Sequence, residues 1–185
     1  MNPLNNTTRK KSRRLLAGML VLSAMATMGN STSLAQATQT PTSSAEMVRQ
    51  AVDYYLGTGG AVDERRAMEL FTKAQEQGDA MATMWVAVFH FGGGCGFADD
   101  QDRARQLAKG VIDQVAELAR QGDADAEFFR VYARLFGLGI EPEPNLNLGR
   151  IIEALRPVAE KGHPFAQENL AGFYAAAAAS EADAA

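Results

Sequence analysis

The sequence is poor in the side chains that most often carry chemistry. Its 185 residues include one cysteine and two histidines. A single cysteine cannot form a disulfide within the chain, so packing alone must hold the fold together. Cys95, His90 and His163 do not show the paired short spacing of zinc ligands. We therefore expect no metal, no cofactor and no enzymatic activity, and we interpret the two histidines as packed or helix-capping residues.

Long apolar runs are also scarce, and the one that stands out is at the N-terminus. The run "LLAGMLVLSAMATM" covers residues 15–28, which is shorter than the roughly 20 residues of a membrane-spanning helix. It follows a basic cluster at residues 9–14 and precedes Ala35-Gln36-Ala37. This order is typical of a secretory signal peptide. We expect residues 1–37 to be removed near Ala37, leaving a periplasmic protein with no membrane insertion.

The export route stays open at this point. Ser12-Arg13-Arg14 partly resembles a twin-arginine signal, although the usual aromatic and lysine are missing. The alternative to cleavage is an N-terminus that stays attached and tethers the protein to a membrane.

Positive charge is scarce in the expected mature chain. The whole sequence has 18 Lys and Arg against 22 Asp and Glu, and five of the basic residues lie in the signal peptide. The remaining 13 give a net charge of −9. Such a surface repels phosphate backbones and anionic lipids. Nucleic acid is therefore not an expected partner.

One short phrase recurs along the chain. Gln77-Gly78-Asp79-Ala80 returns as residues 121–124 and, more loosely, as residues 161–164, with glycine spacings of 44 and 40. Periods near 40 are typical of stacked helix pairs. A glycine after a helix adopts a left-handed conformation at little cost, and an aspartate after it caps the next helix. The phrase is thus interpreted as a helix–turn–helix joint.

Apolar spacing of three and four residues predicts two helices in each unit. The first helices are predicted at about 80–91, 124–136 and 165–178, and the second helices at about 64–77, 101–121 and 147–161. Residues 38–44 are expected to form a flexible lead-in, 45–178 the folded domain, and 179–185 a disordered C-terminal tail. The last unit has a first helix but no second helix. Its first helix acts either as a terminal cap or as a docking face.

The segment "YYLGTGGAVDERRAMELFTKAQEQGDA" (54–80) resembles the Sel1-like repeat, a relative of the tetratricopeptide repeat. "AQENLAGFYA" (166–175) resembles the opening of a further unit. The resemblance covers residues 45–178 and implies an all-α, right-handed α/α solenoid of antiparallel helix pairs, with about three repeats and a partial fourth. The matching positions in the first segment are Tyr54, Gly57, Gly59, Asp63, Ala67, Ala74 and Gly78.

The middle of the chain departs from this pattern. From Gly92 to Gly122 is 30 residues, whereas the matching step from Gly57 to Gly78 is 21. The second unit is therefore predicted to carry about nine extra residues.

Candidate binding residues lie on the predicted first helices, which line the concave face of a helix-pair solenoid. Most of their aromatic side chains are expected in the core, and a few exposed ones would anchor a partner. We select Trp85 or Tyr132, together with Arg130 and Arg134, as partner-binding residues. The arginines would meet acidic groups of the partner.

Cys95 lies in "GGGCGF", which predicts a mobile, exposed loop. It is either an incidental free thiol or one that forms a mixed or intermolecular disulfide in an oxidising compartment.

The resemblance implies a protein–protein adaptor or scaffold of the bacterial cell envelope, whose partner is another protein. Two alternatives remain. One is a secreted factor that acts on another cell. The other is a repeat enzyme that binds or hydrolyses β-lactams, although the relatives with that activity carry a disulfide in each unit.

Overall fold

The computed structural model describes residues 43–182, with side chains to residue 178. The predicted signal peptide lies outside the described residues, as do residues 38–42 of the lead-in and 183–185 of the tail. The described part contains seven α-helices and no strand, which confirms the all-α class. The helices are α1 Ser44–Leu56, α2 Glu64–Glu76, α3 Ala80–Gly92, α4 Gln101–Arg120, α5 Ala124–Phe136, α6 Leu148–Glu160 and α7 Pro164–Ala182.

The recurring phrase forms the joint that the sequence predicts. Each of its three glycines has a positive φ, and the residue that follows caps the next helix with its side chain. The φ values are 83° at Gly78, 92° at Gly122 and 91° at Gly162. The caps are Asp79 to the N–H of Ala82 at 2.9 Å, Asp123 to that of Ala126 at 2.8 Å, and His163 Nδ1 to that of Ala166 at 3.3 Å.

Helices α1, α3 and α5 each end at a glycine in the left-handed conformation, and this glycine begins the second kind of joint. These glycines are Gly57, Gly93 and Gly137, with φ of 70°, 69° and 71°. In the second unit the cap is thus Gly93, one residue beyond the glycine that the sequence comparison aligns. Asp63 and Asp100 then cap α2 and α4.

Most of the extra length of the second unit lies in α4. This helix has 20 residues, whereas α2 and α6 each have 13. Seven additional residues correspond to about two turns of helix. The insertion therefore extends a helix and does not form a separate loop.

Gly139, in the loop after α5, lies directly against the α4 backbone at Ala108 and Lys109.

Consecutive helices pack against each other along the whole described chain, and α1, α3 and α5 lie side by side. Helix α3 is the centre of this arrangement, because it contacts α1, α2, α4 and α5 and is buried at nine of its 13 residues. Small residues permit this close packing: Ala82, Ala104 and Ala126 have no exposed surface. The packing is compatible with an α-helical repeat.

The last helix differs from the prediction at its end. Helix α7 continues to Ala182, so residues 179–182 are helical in this structure. Within residues 43–182, no helix combines the length and the apolar character needed to cross a membrane.

Candidate partner-binding surface

Trp85 lies at the centre of a cluster of aromatic rings contributed by several helices. Its ring centroid is 5.5 Å from Phe71 of α2, 5.7 Å from Phe89 of its own helix, 4.8 Å from Phe129 of α5 and 4.5 Å from Phe165 of α7. Edge-to-face and stacked pairs at these distances add stabilisation beyond the burial of apolar area. We call these five residues the aromatic cluster.

Phe165 connects the last helix to the first. Its ring is 5.8 Å from Tyr55 of α1, as well as 6.4 Å from Phe128 of α5. The first turn of α7 therefore lies against α1, α3 and α5 together. In an open array of helix pairs these three helices would present a free concave face. Here Phe165, in the first turn of α7, contacts one ring on each of these three helices.

The burial of both side chains shows that the prediction of Trp85 or Tyr132 as an exposed anchor is wrong. The two side chains are only 2% and 4% exposed. Burial raises the pKa of the Tyr132 hydroxyl and, as the main cause, that of the Tyr55 hydroxyl. The Trp85 Nε1–H is buried without a hydrogen-bond partner among the described residues. Neither aromatic side chain is available on the surface of this structure.

Arg130 and Arg134, by contrast, are exposed on α5 one helical turn apart. The Arg134 Nε lies 3.5 Å from Glu143 Oε2, in the loop between α5 and α6. Arg150 Nη1 lies 3.0 Å from the other oxygen of the same carboxylate. We call Arg130, Arg134 and Arg150 the arginine surface. Whether it binds a partner stays a prediction.

Arg150 is not among the binding residues that the sequence predicts. It follows the N-cap Asn147 in α6 and is separated from Arg134 by a loop with two prolines. Helical periodicity gives no information on contacts across such a loop. The available signal was Glu143, the only carboxylate in "PEPNLNLGR" (142–150), located between two arginine-bearing helices.

Cys95 is not in an exposed position, so that part of the prediction is wrong. Its side chain is 3% exposed, and its Sγ donates to the carbonyl oxygen of Glu64 at 3.4 Å. Burial, and to a lesser degree the Glu64 carboxylate, raise the pKa of the thiol to about 12. The glycine-rich segment does not expose the thiol because it folds back onto the start of α2.

We expect native protein to react very slowly with a thiol reagent at neutral pH, because the thiolate is the reactive species and is disfavoured here. Ellman's reagent should titrate one thiol in urea and almost none in buffer. A non-reducing gel should show a monomer. Rapid labelling of the folded chain, or a dimer sensitive to dithiothreitol, would contradict this burial.

Both histidines have structural partners. His90 Nδ1 is 3.0 Å from the Ala98 carbonyl oxygen, and its ring packs on Phe97. His163 caps α7 through Nδ1, so Nε2 carries the hydrogen and donates to Asp125 at 2.8 Å. Their interpretation as packed or capping residues is confirmed. No group of three or more potential metal-binding side chains occurs among the described residues.

Comparisons with protein-family models, with curated proteins and with solved structures found no match to the chain.

Proposed function

We propose that the chain is an exported, Sel1-like repeat protein that acts as a protein–protein adaptor or scaffold in the bacterial cell envelope. The helix pairs would form a right-handed solenoid. Support comes from the glycine-centred joints and from the order of basic, apolar and A-x-A segments at the N-terminus. The observation that carries the proposal is the arginine surface, which stands exposed on a chain with an excess of acidic residues.

The docking surface in this proposal is the outer side of α5. Phe165 contacts one ring on each of α1, α3 and α5, so a partner could reach those rings only by displacing the start of α7. Arg130 and Arg134 need no such rearrangement. Charged residues at an exposed position contribute mainly to specificity and to the rate of association.

The test is crosslinking in cells followed by a pull-down of the tagged protein from the periplasm, with mass spectrometry. We expect a discrete envelope protein with the wild type and its loss from an Arg130→Glu/Arg134→Glu variant. Lys73→Glu/Arg103→Glu is the matched control, because both residues are exposed and the change in net charge is the same. Circular dichroism is used to check that each variant is folded.

Two outcomes would contradict the proposal. One is an eluate that contains the folded protein alone. The other is a partner retained equally by the α5 variant and the control, which would remove the arginine surface from the adaptor role. Protein found in the culture supernatant and not in the periplasm would favour the alternative of a secreted factor.

A further inference from the structure

The arginine surface has more positive charge than its own carboxylate neutralises. Only two of its three guanidinium groups contact the Glu143 side chain: Oε1 accepts from Arg150 at 3.0 Å, and Oε2 forms an ion pair with Arg134 at 3.5 Å. Glu143 therefore holds these two arginines beside each other across the α5–α6 loop. Arg150 is oriented further by its hydrogen bond to the Pro144 carbonyl oxygen at 3.1 Å. Two positive charges remain in excess.

The carboxylates nearest in sequence on α5 do not cancel this excess, because they are engaged at the opposite end of the helix. Asp125 accepts from His163 at 2.8 Å, and Glu127 binds the Lys161 ammonium at 2.7 Å. Both contacts tie α5 to the joint between α6 and α7. Arg130 makes no ion pair or hydrogen bond with any described residue. Its guanidinium therefore has all its donors available.

The remaining donors suit carboxylates. Arg134 faces Glu143 through Nε at 3.5 Å, and no hydrogen bond from its guanidinium to a described residue is formed. A planar guanidinium pairs with a carboxylate through two parallel hydrogen bonds. Arg134 keeps about half of its side-chain surface exposed, 53%, so an incoming carboxylate can reach it.

The net negative charge of the chain favours some anionic ligands of the arginine surface over others. A long, densely charged polymer such as nucleic acid would meet the acidic remainder of the chain, which carries 22 Asp and Glu. A short run of carboxylates on an otherwise neutral segment would contact the arginine surface alone. The same reasoning disfavours a flat anionic lipid surface.

From these contacts we propose that the arginine surface binds a short acidic segment of a partner protein, with Arg130, Arg134 and Arg150 as the contact residues and Glu143 as the residue that positions two of them. This inference rests on the adaptor role and names the chemistry of the partner.

The experiment measures binding of a fluorescein-labelled hexaglutamate peptide, by fluorescence anisotropy at low salt, to the purified chain in its proposed exported form, from which residues 1–37 with their basic cluster are removed. A hexaglutamine peptide is the probe control. We expect the glutamate peptide alone to bind, and to bind more weakly as salt is added. Removal of one arginine should weaken binding about threefold, and the triple Gln variant on the order of thirtyfold, as for exposed ion pairs that add independently.

Arg130→Gln is the most informative single variant, because that side chain has no structural partner in the described chain. Glu143→Gln tests the positioning role: removal of a competing negative charge alone would tighten peptide binding, whereas loss of the positioning of Arg134 and Arg150 should weaken it. The Lys73→Gln/Arg103→Gln variant loses two charges elsewhere and should bind as the wild type does.

Failure of hexaglutamate to bind the folded wild type would overturn the inference, as would equal losses in the control variant. A partner still recovered through Arg130 and Arg134 in cells would then leave the adaptor proposal standing. Conversely, peptide binding without any cellular partner would support the acidic-segment site and remove the proposed role.

Discussion

Replacement of Gly139 by alanine is expected to destabilise the protein by about 3 kcal/mol, the sum of a left-handed backbone cost and a packing clash. Gly139 has a φ of +76°, which L residues rarely adopt. An added Cβ would lie 2.7 Å from both the carbonyl carbon of Ala108 and the amide nitrogen of Lys109. Both are backbone atoms of α4, so neither can move aside as a flexible side chain would. Urea unfolding followed by circular dichroism measures the loss.

Gly78→Ala is the matched control for this variant. Gly78 has a similar φ of +83°, but a Cβ there would have no atom within 4 Å. Only the backbone term remains, and we expect a loss of about 1 kcal/mol. The difference between the two variants isolates the contact between the α5–α6 loop and α4. Equal losses would show that this close approach does not exist in solution.

Phe165→Ala is expected to cost about 4 kcal/mol, as for other large buried aromatic side chains. Its ring is 2% exposed and touches Tyr55, Trp85 and Phe128 on three different helices. Trp85 is the only tryptophan in the chain, and it lies 4.5 Å from Phe165. Its fluorescence therefore reports this contact directly. The emission should shift to longer wavelength in the folded variant, because water gains access to the indole.

The control for this prediction lies on the same helix. Tyr174 of α7 is 46% exposed and hydrogen-bonds Arg156 through its hydroxyl. Tyr174→Ala should change stability by about 0.5 kcal/mol or less, as is usual for surface positions, and should leave the Trp85 emission unchanged. A Phe165→Ala variant that is as stable as this control would mean that α7 does not cover the aromatic cluster.

The parts of the fold that could be predicted are those that depend on a few neighbouring residues in the sequence. The joints follow from single glycines and from an aspartate beside them, because a left-handed residue and a helix cap each depend on their immediate neighbours. The predicted second helix at 101–121 and the observed α4 Gln101–Arg120 agree for the same reason.

The burial of the candidate residues could not be predicted in this way. Trp85, Tyr132 and Cys95 were assigned by analogy with an open concave face and an open loop. Trp85 packs on Phe165, which lies 80 positions away, and the Cys95 thiol donates to Glu64, which lies 31 positions away. Local periodicity carries no information on contacts at such separations. The exposure of Arg130 and Arg134 could be predicted, because charged residues on a helix most often face solvent.

The contact between Tyr55 and Phe165 also has a consequence for how the chain acquires its structure during synthesis. The two residues are 110 positions apart. Helix pairs near the N-terminus can form their own joints, but the rings of Tyr55 and Trp85 gain their contact with Phe165 only when the last helix is present. A chain that stops before Phe165 would leave this side of the two rings without its partner. The addition of the last helix is thus the step that completes the packing of these two aromatic rings.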